Sequence, residues 1–261
     1  MFGLRHCART ALIALSAAAS IAFADVAVRP AALAAPAETE QFDTVFKFQF
    51  LPEIKKIPSL ERIFRDHPEI EAQFRAAARA AYERGGSKGL LEDAGTIGAT
   101  VLGNAFASYM PRARGEDLML FTISMAGILG TMNETDPEAC ILYQHGPNFG
   151  RPLESSRLIA AIGRERQRKL LDSMNAVVVN AADKPVAFDD AKATEVFTVI
   201  AVKAAKLLTG NSSEVAEGKR LPVDVAEAKA ACSFGAALFK EASELEPAKA
   251  ELALRKMFAP E

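Results

Sequence analysis

Between Cys140 and Arg151 the chain gathers the side chain types that chemistry most often uses. Cys140, Tyr143, His145, Asn148 and Arg151 surround a Gly/Pro loop that runs from Gly146-Pro147 to Gly150-Arg151-Pro152. Cys140 and His145 can meet across a helix end, and a thiol beside an imidazole is a nucleophile beside its base. Export argues against that reading, because an exported thiol is usually oxidised. The competing reading is a loop braced by a disulfide, with His145 at a helix C-terminus where positive charge is favoured. Tyr143, His145 and Arg151 are candidate ligand or anion contacts, and they mark where a scattered enzyme site would lie.

Two other stretches hold candidate contacts. Arg164-Glu165-Arg166-Gln167-Arg168-Lys169 reads mainly as a solvated helix face. Ile159, Ile162 and Arg166, however, are spaced three and four apart, so Arg166 prolongs an apolar stripe. An unpaired buried charge costs several kcal/mol. A buried Arg166 therefore predicts a carboxylate partner or a bound anion, such as a phosphate or a lipid head group. Phe42, Phe46 and Phe50 recur every fourth residue. They form an aromatic face that either packs on its own core or docks on a partner or membrane surface.

Other chemistries find little support. The chain has 3 histidines, His6, His67 and His145, and no H-E-x-x-H, so a zinc site built mainly from histidine is not expected. There is no S-x-x-K and no phosphate-cradling G-x-x-x-x-G-K. Gly95-x-x-Gly98 lies in a helical stretch rather than after a strand, so it is no dinucleotide fingerprint. No catalytic residue, metal ligand or cofactor is assigned on this basis. With 31 Lys+Arg against 33 Asp+Glu the net charge is −2, and a nucleic-acid partner is not expected.

The first residues read as an address. Arg5 and Arg9 precede an uncharged run from Ala11 to Ala24, and Ala22-Phe23-Ala24 fits a small-x-small cleavage site, with Ala32-Leu33-Ala34 as an alternative. This is the layout of a secretory signal peptide over residues 1–24. A membrane span needs about 20 apolar residues, and Asp25 stops the run short of that. Residues 25–37, rich in Ala and Pro, read as a flexible linker. Cys7 would leave with the leader. Cys140 and Cys232 would then form a disulfide in an oxidising periplasmic or extracellular compartment.

The elements that must hold these residues read as helices. Half the chain is apolar (50%), Ala is abundant, and Gly and Pro fall between long periodic segments. Helices are predicted from Ser59, from His67-Pro68 to Arg84 with a stop at Gly85-Gly86, and over 87–110 and 116–134. Further helices are predicted from Asp136-Pro137 to His145, over 153–182, 189–208 and 222–245, and from Pro247 to Phe258. The uncharged runs Ala94–Pro111 and Leu118–Asn133 predict an antiparallel pair. Gly95, Ala99, Gly103 and Ala107 would form its close-packing stripe. That pair is read as a buried core, since both runs are short for a bilayer. Val225, Ala228, Cys232, Gly235 and Phe239 form one inward stripe, which turns Cys232 towards the core.

The expectation is an all-α chain: a single-domain bundle of about eight to ten helices over 38–261, without an integral membrane span. Its function is read as non-enzymatic binding or assembly with a protein or lipid partner in the cell envelope. The alternatives are a lipid or membrane-surface binder, and an enzyme with a scattered site near Tyr143, His145 and Arg151.

Overall fold

A computed structural model of the chain describes residues 38–151 and 153–259. The leader and linker expected over 1–37 lie outside these residues. The described residues form helices and no strand. In chain order they are α1 (Glu38–Val45), a π-turn (Phe46–Phe50), α2 (Leu51–Lys55), α3 (Pro58–Asp66) and α4 (Pro68–Tyr109). After a 3-10 turn (Met110–Arg112) come α5 (Gly115–Thr135) and α6 (Pro137–His145). A second 3-10 turn (Gly146–Phe149) leads to α7 (Ser155–Val179), α8 (Asp190–Ala205), α9 (Ser212–Ala216), α10 (Val225–Ser243) and α11 (Pro247–Met257).

The starts follow capping chemistry. Asp136 precedes Pro137 and accepts from the Ala139 N–H at 3.0 Å. Asp189 and Asp224 do the same for Lys192 and Glu227. Each carboxylate satisfies a helix N–H that has no partner within the helix. α3 begins at Pro58 rather than by a Ser59 cap. The Ser59 N–H is capped instead by Asn175 Oδ1 of α7, 2.9 Å away.

The core is organised around α5. Leu118, Phe121, Met125, Ile128, Leu129 and Met132 are buried along it, and α10 and α7 pack most extensively against it. α4 touches α5 near their joint, where the Phe106 and Phe121 rings lie 5.7 Å apart; the side chains of residues 91–96 and 98–104, which would carry the rest of the predicted antiparallel pair and its small-residue stripe, lie outside the described residues. Val225 is exposed although Ala228, Cys232, Gly235 and Phe239 of its stripe are buried. It sits at the first residue of α10, where the helix has only just entered the core. Among the described residues no helix is long and apolar enough to cross a membrane.

Two breaks matter for the site. At Gly85-Gly86 the backbone leaves the helix, with φ +61° at Gly86, and the helix resumes at once; the stop expected there is a kink. At Gly163 φ is +76° inside α7, a conformation open mainly to glycine. The break resets the helical phase. Leu158, Ala161 and Ile162 are buried before it, and Gln167, Leu170 and Val177 after it. Arg166 falls off the new stripe and is exposed like its neighbours Arg164, Glu165, Arg168 and Lys169, which agrees with the solvated-face reading and overturns the alternative of a buried Arg166. Among the described residues the buried arginine is Arg255, at 5% exposure. It donates to Glu251 Oε1 at 2.8 Å and to the Ala113 carbonyl at 3.0 Å. The carboxylate partner that burial requires is present, at a different position.

Candidate functional site

The Cys140–Arg151 segment divides into an inner and an outer half. α6 is short, and its residues from Ala139 to His145 are all buried. Cys140 and Cys232 are joined as a disulfide with Cα atoms 6.0 Å apart, within the usual range for such a bond. The Gln144 amide lies 3.3 Å from the Cys140 sulfur. A Cβ placed on Gly235 would run into the Gln144 side chain, so α10 approaches α6 as closely as glycine allows.

Tyr143 and His145 face the interior. The Tyr143 hydroxyl sits 3.7 Å from Met125 Sδ, and burial pushes its phenol well above the usual range. His145 is 1% exposed, and neither ring nitrogen has a partner in hydrogen-bond geometry. Burial drives its pKa down to about 4, against a weaker upward pull from the neighbouring Ala216 backbone. The imidazole is therefore neutral at pH 7.

Arg151 lies outside, exposed on the loop. It lines a pocket of about 350 Å³ with Leu142, Leu153, Glu154 and Arg157. Arg157 is committed to Asp136 at 2.7 and 2.8 Å and to Glu138 at 3.1 Å. Its guanidinium holds the Asp136 carboxyl below the usual range. Of the four candidate contacts only Arg151 reaches this pocket. Tyr143 and His145 lie buried in the core, and Arg166 stands on the solvent face of α7. The pocket lining and the buried imidazole do not form one constellation.

The aromatic face resolves inward for Phe42 and Phe46, which are buried and lie 5.5 Å from Tyr82 and 6.4 Å from Phe74 respectively. The side chain of Phe50 lies outside the described residues. The sequence reading that no G-x-S-x-G turn is present needs a correction: Gly85-Gly86-Ser87-Lys88-Gly89 matches that spacing. A nucleophile elbow needs a strand leading into the turn. Here helix precedes and helix follows, so the match carries no catalytic assignment.

An outward face of α5 was also missed. Leu120 and Ile123 are 54% and 52% exposed, and Gly127 continues their stripe. Added Cβ atoms at Gly127 and Gly130 would meet nothing within 4 Å. The hydroxyls of Ser124 and Thr131 turn back onto the Leu120 and Gly127 carbonyls at 2.9 and 2.8 Å. Their protons are thus used within the helix. From Leu118 to Asn133 there is no charge, while Glu116 and Glu134 flank the run. The signal was present in the uncharged run, which reads as buried core because it is short for a bilayer.

Comparison with known protein families, curated proteins and solved structures finds no match for this chain.

Proposed function

We propose that this is a non-enzymatic helical protein of the cell envelope, periplasmic or secreted, that works by binding or assembly. Its docking surface is the outward face of α5. The carrying observation is that Leu120 and Ile123 are each more than half exposed on a helix face without charge. A solvated helix face ordinarily carries charged and polar residues, and contiguous exposed apolar surface marks interaction sites. The envelope location rests on the leader-like segment Arg5 to Ala24.

The partner favoured by this face is a protein helix. Gly127 and Gly130 each cost about 1 kcal/mol of helix stability relative to alanine. They leave open backbone that another helix can approach closely. A lipid surface needs no such approach and favours basic flanks, whereas the flanks here are Glu116 and Glu134.

Two variants and a cross-linker test the proposal. A photo-reactive residue at position 123, in the organism's own envelope, is expected to give discrete protein adducts. The same residue at exposed Lys192 is not. Gly127→Leu is expected to abolish the adducts while holding or raising the thermal midpoint, since the side chain meets no neighbour in the monomer. Absence of adducts from position 123, or adducts indifferent to Gly127→Leu, would sink the proposal. Adducts to lipid in place of protein would transfer the face to the membrane-surface reading.

A further inference from the structure

The first half of α4 borders a groove of about 490 Å³, lined by Pro68, Glu71, Ala72, Arg75, Ala76 and Arg79. Arg75 and Arg79 are four apart and share a helix face. Both are seated on aromatic rings. The Arg79 guanidinium carbon is 5.3 Å from the centre of Phe42, and that of Arg75 is 6.0 Å from the centre of Phe46. The rings are themselves buried, so the two cations rest on a fixed support. Each guanidinium sends one N–H to the same atom, Asp43 Oδ1, at 3.1 and 3.4 Å. A guanidinium has five N–H donors arranged as a fork. Two cations therefore share one monoanion through a single oxygen. The other ion pair at the groove, Glu71 with Lys55 at 3.6 Å, adds no net charge. Ala72 and Ala76 are exposed, and their methyl side chains leave the groove open above the arginines.

We propose that this groove is a binding site for a phosphate group, which displaces Asp43 and bridges Arg75 and Arg79. A tetrahedral phosphate presents several oxygens to two forks, where Asp43 presents one. Charge-assisted, multidentate contacts of that kind are the strong ones for arginine. The chemistry is shared by free phosphate and by the head group of an anionic phospholipid. The site is separate from the outward face of α5, and neither proposal depends on the other.

Two probes distinguish the sources: inorganic phosphate by titration calorimetry, and flotation with phosphatidylglycerol vesicles against phosphatidylcholine vesicles, using the full chain. Binding of either probe by the wild-type chain is expected, weakened by added salt. The double variant Arg75→Gln/Arg79→Gln is expected to lose affinity at least tenfold. Asp43→Asn removes the internal competitor and is expected to bind about tenfold more tightly. Phosphate binding alone assigns the free ion, and vesicle binding alone assigns the head group. The proposal is overturned if the wild type and Asp43→Asn bind neither probe, if Asp43→Asn fails to tighten binding, or if the double glutamine variant binds like the wild type. Should the double variant unfold, the Asp43→Asn result decides, checked for native helicity by circular dichroism. A carboxylate that serves only to pin α1 onto α4 would give a less stable protein and no gain in binding.

Discussion

His145 carries a pH dependence that can be worked out from its position. Its pKa is lowered to about 4 in the folded chain, against about 6.5 unfolded. Above pH 6.5 the imidazole is neutral in both states and costs nothing. As pH falls from 6.5 towards 4 the unfolded chain takes up a proton that the folded chain refuses, so stability falls. The linkage amounts to about 2 kcal/mol lost between pH 7.5 and pH 5. Glu227, held down to about 2 chiefly by its hydrogen bonds from Arg220, titrates in a lower window, where its contribution fades only below pH 4.5. Urea unfolding at pH 7.5 and 5.0 checks the expectation, with His145→Met as the variant that flattens the difference. Equal stability of the wild type at both pH values would refute the account. At this scale the sequence was readable where a residue's fate follows from its neighbours in the chain. Cys232 was placed inward by periodicity, and Cys140 was paired with it from the oxidising compartment that the leader-like segment implies. Arg255 could not be found that way, because its acceptor at Ala113 is 142 residues distant.

Helices were legible because capping aspartates, Pro at first turns and apolar spacing agree with one another. Phase was less legible. The sequence reads α7 as one continuous rod, and a continuous rod puts Arg166 on the buried face. A single glycine inside a helical pattern either tolerates the helix or breaks it, and spacing does not distinguish the two. Gly163 breaks it with a positive φ, while Gly127 lies within unbroken helix in open surroundings. The same substitution therefore has opposite signs at the two positions. Gly163→Ala forces an L-residue into left-handed backbone and is expected to destabilise by more than about 1 kcal/mol. Gly127→Ala is expected to stabilise by up to about 1 kcal/mol through helix propensity. Shifts of the urea midpoint in opposite directions check the pair. Shifts of the same sign would contradict either the break in α7 or the open face of α5.

Across the whole molecule, the disulfide connects regions that packing alone would have to hold. Buried apolar side chains run from Phe42 to Phe258 as one cluster, so the helices before α6 and those after α7 share a core. Cys140 and Cys232 lie 92 residues apart in sequence, and the loop they close contains all of α7, α8 and α9. Closing a loop of that size restricts the unfolded chain and stabilises the fold by about 4.6 kcal/mol in the chain-entropy model. Both cysteines are completely buried, so a reductant reaches the bond only when the α6–α10 contact opens. The double variant Cys140→Ala/Cys232→Ala is expected to unfold at a clearly lower urea concentration. Its dependence on denaturant should also be steeper, because the unlinked unfolded chain exposes more surface. Alkylation of the denatured protein without reductant should detect no thiol at either position when the chain is taken from an oxidising compartment. It should detect two when the chain is retained in the cytoplasm. Two free thiols in exported protein would remove the long-range link and leave the α6–α10 contact to side chain packing alone.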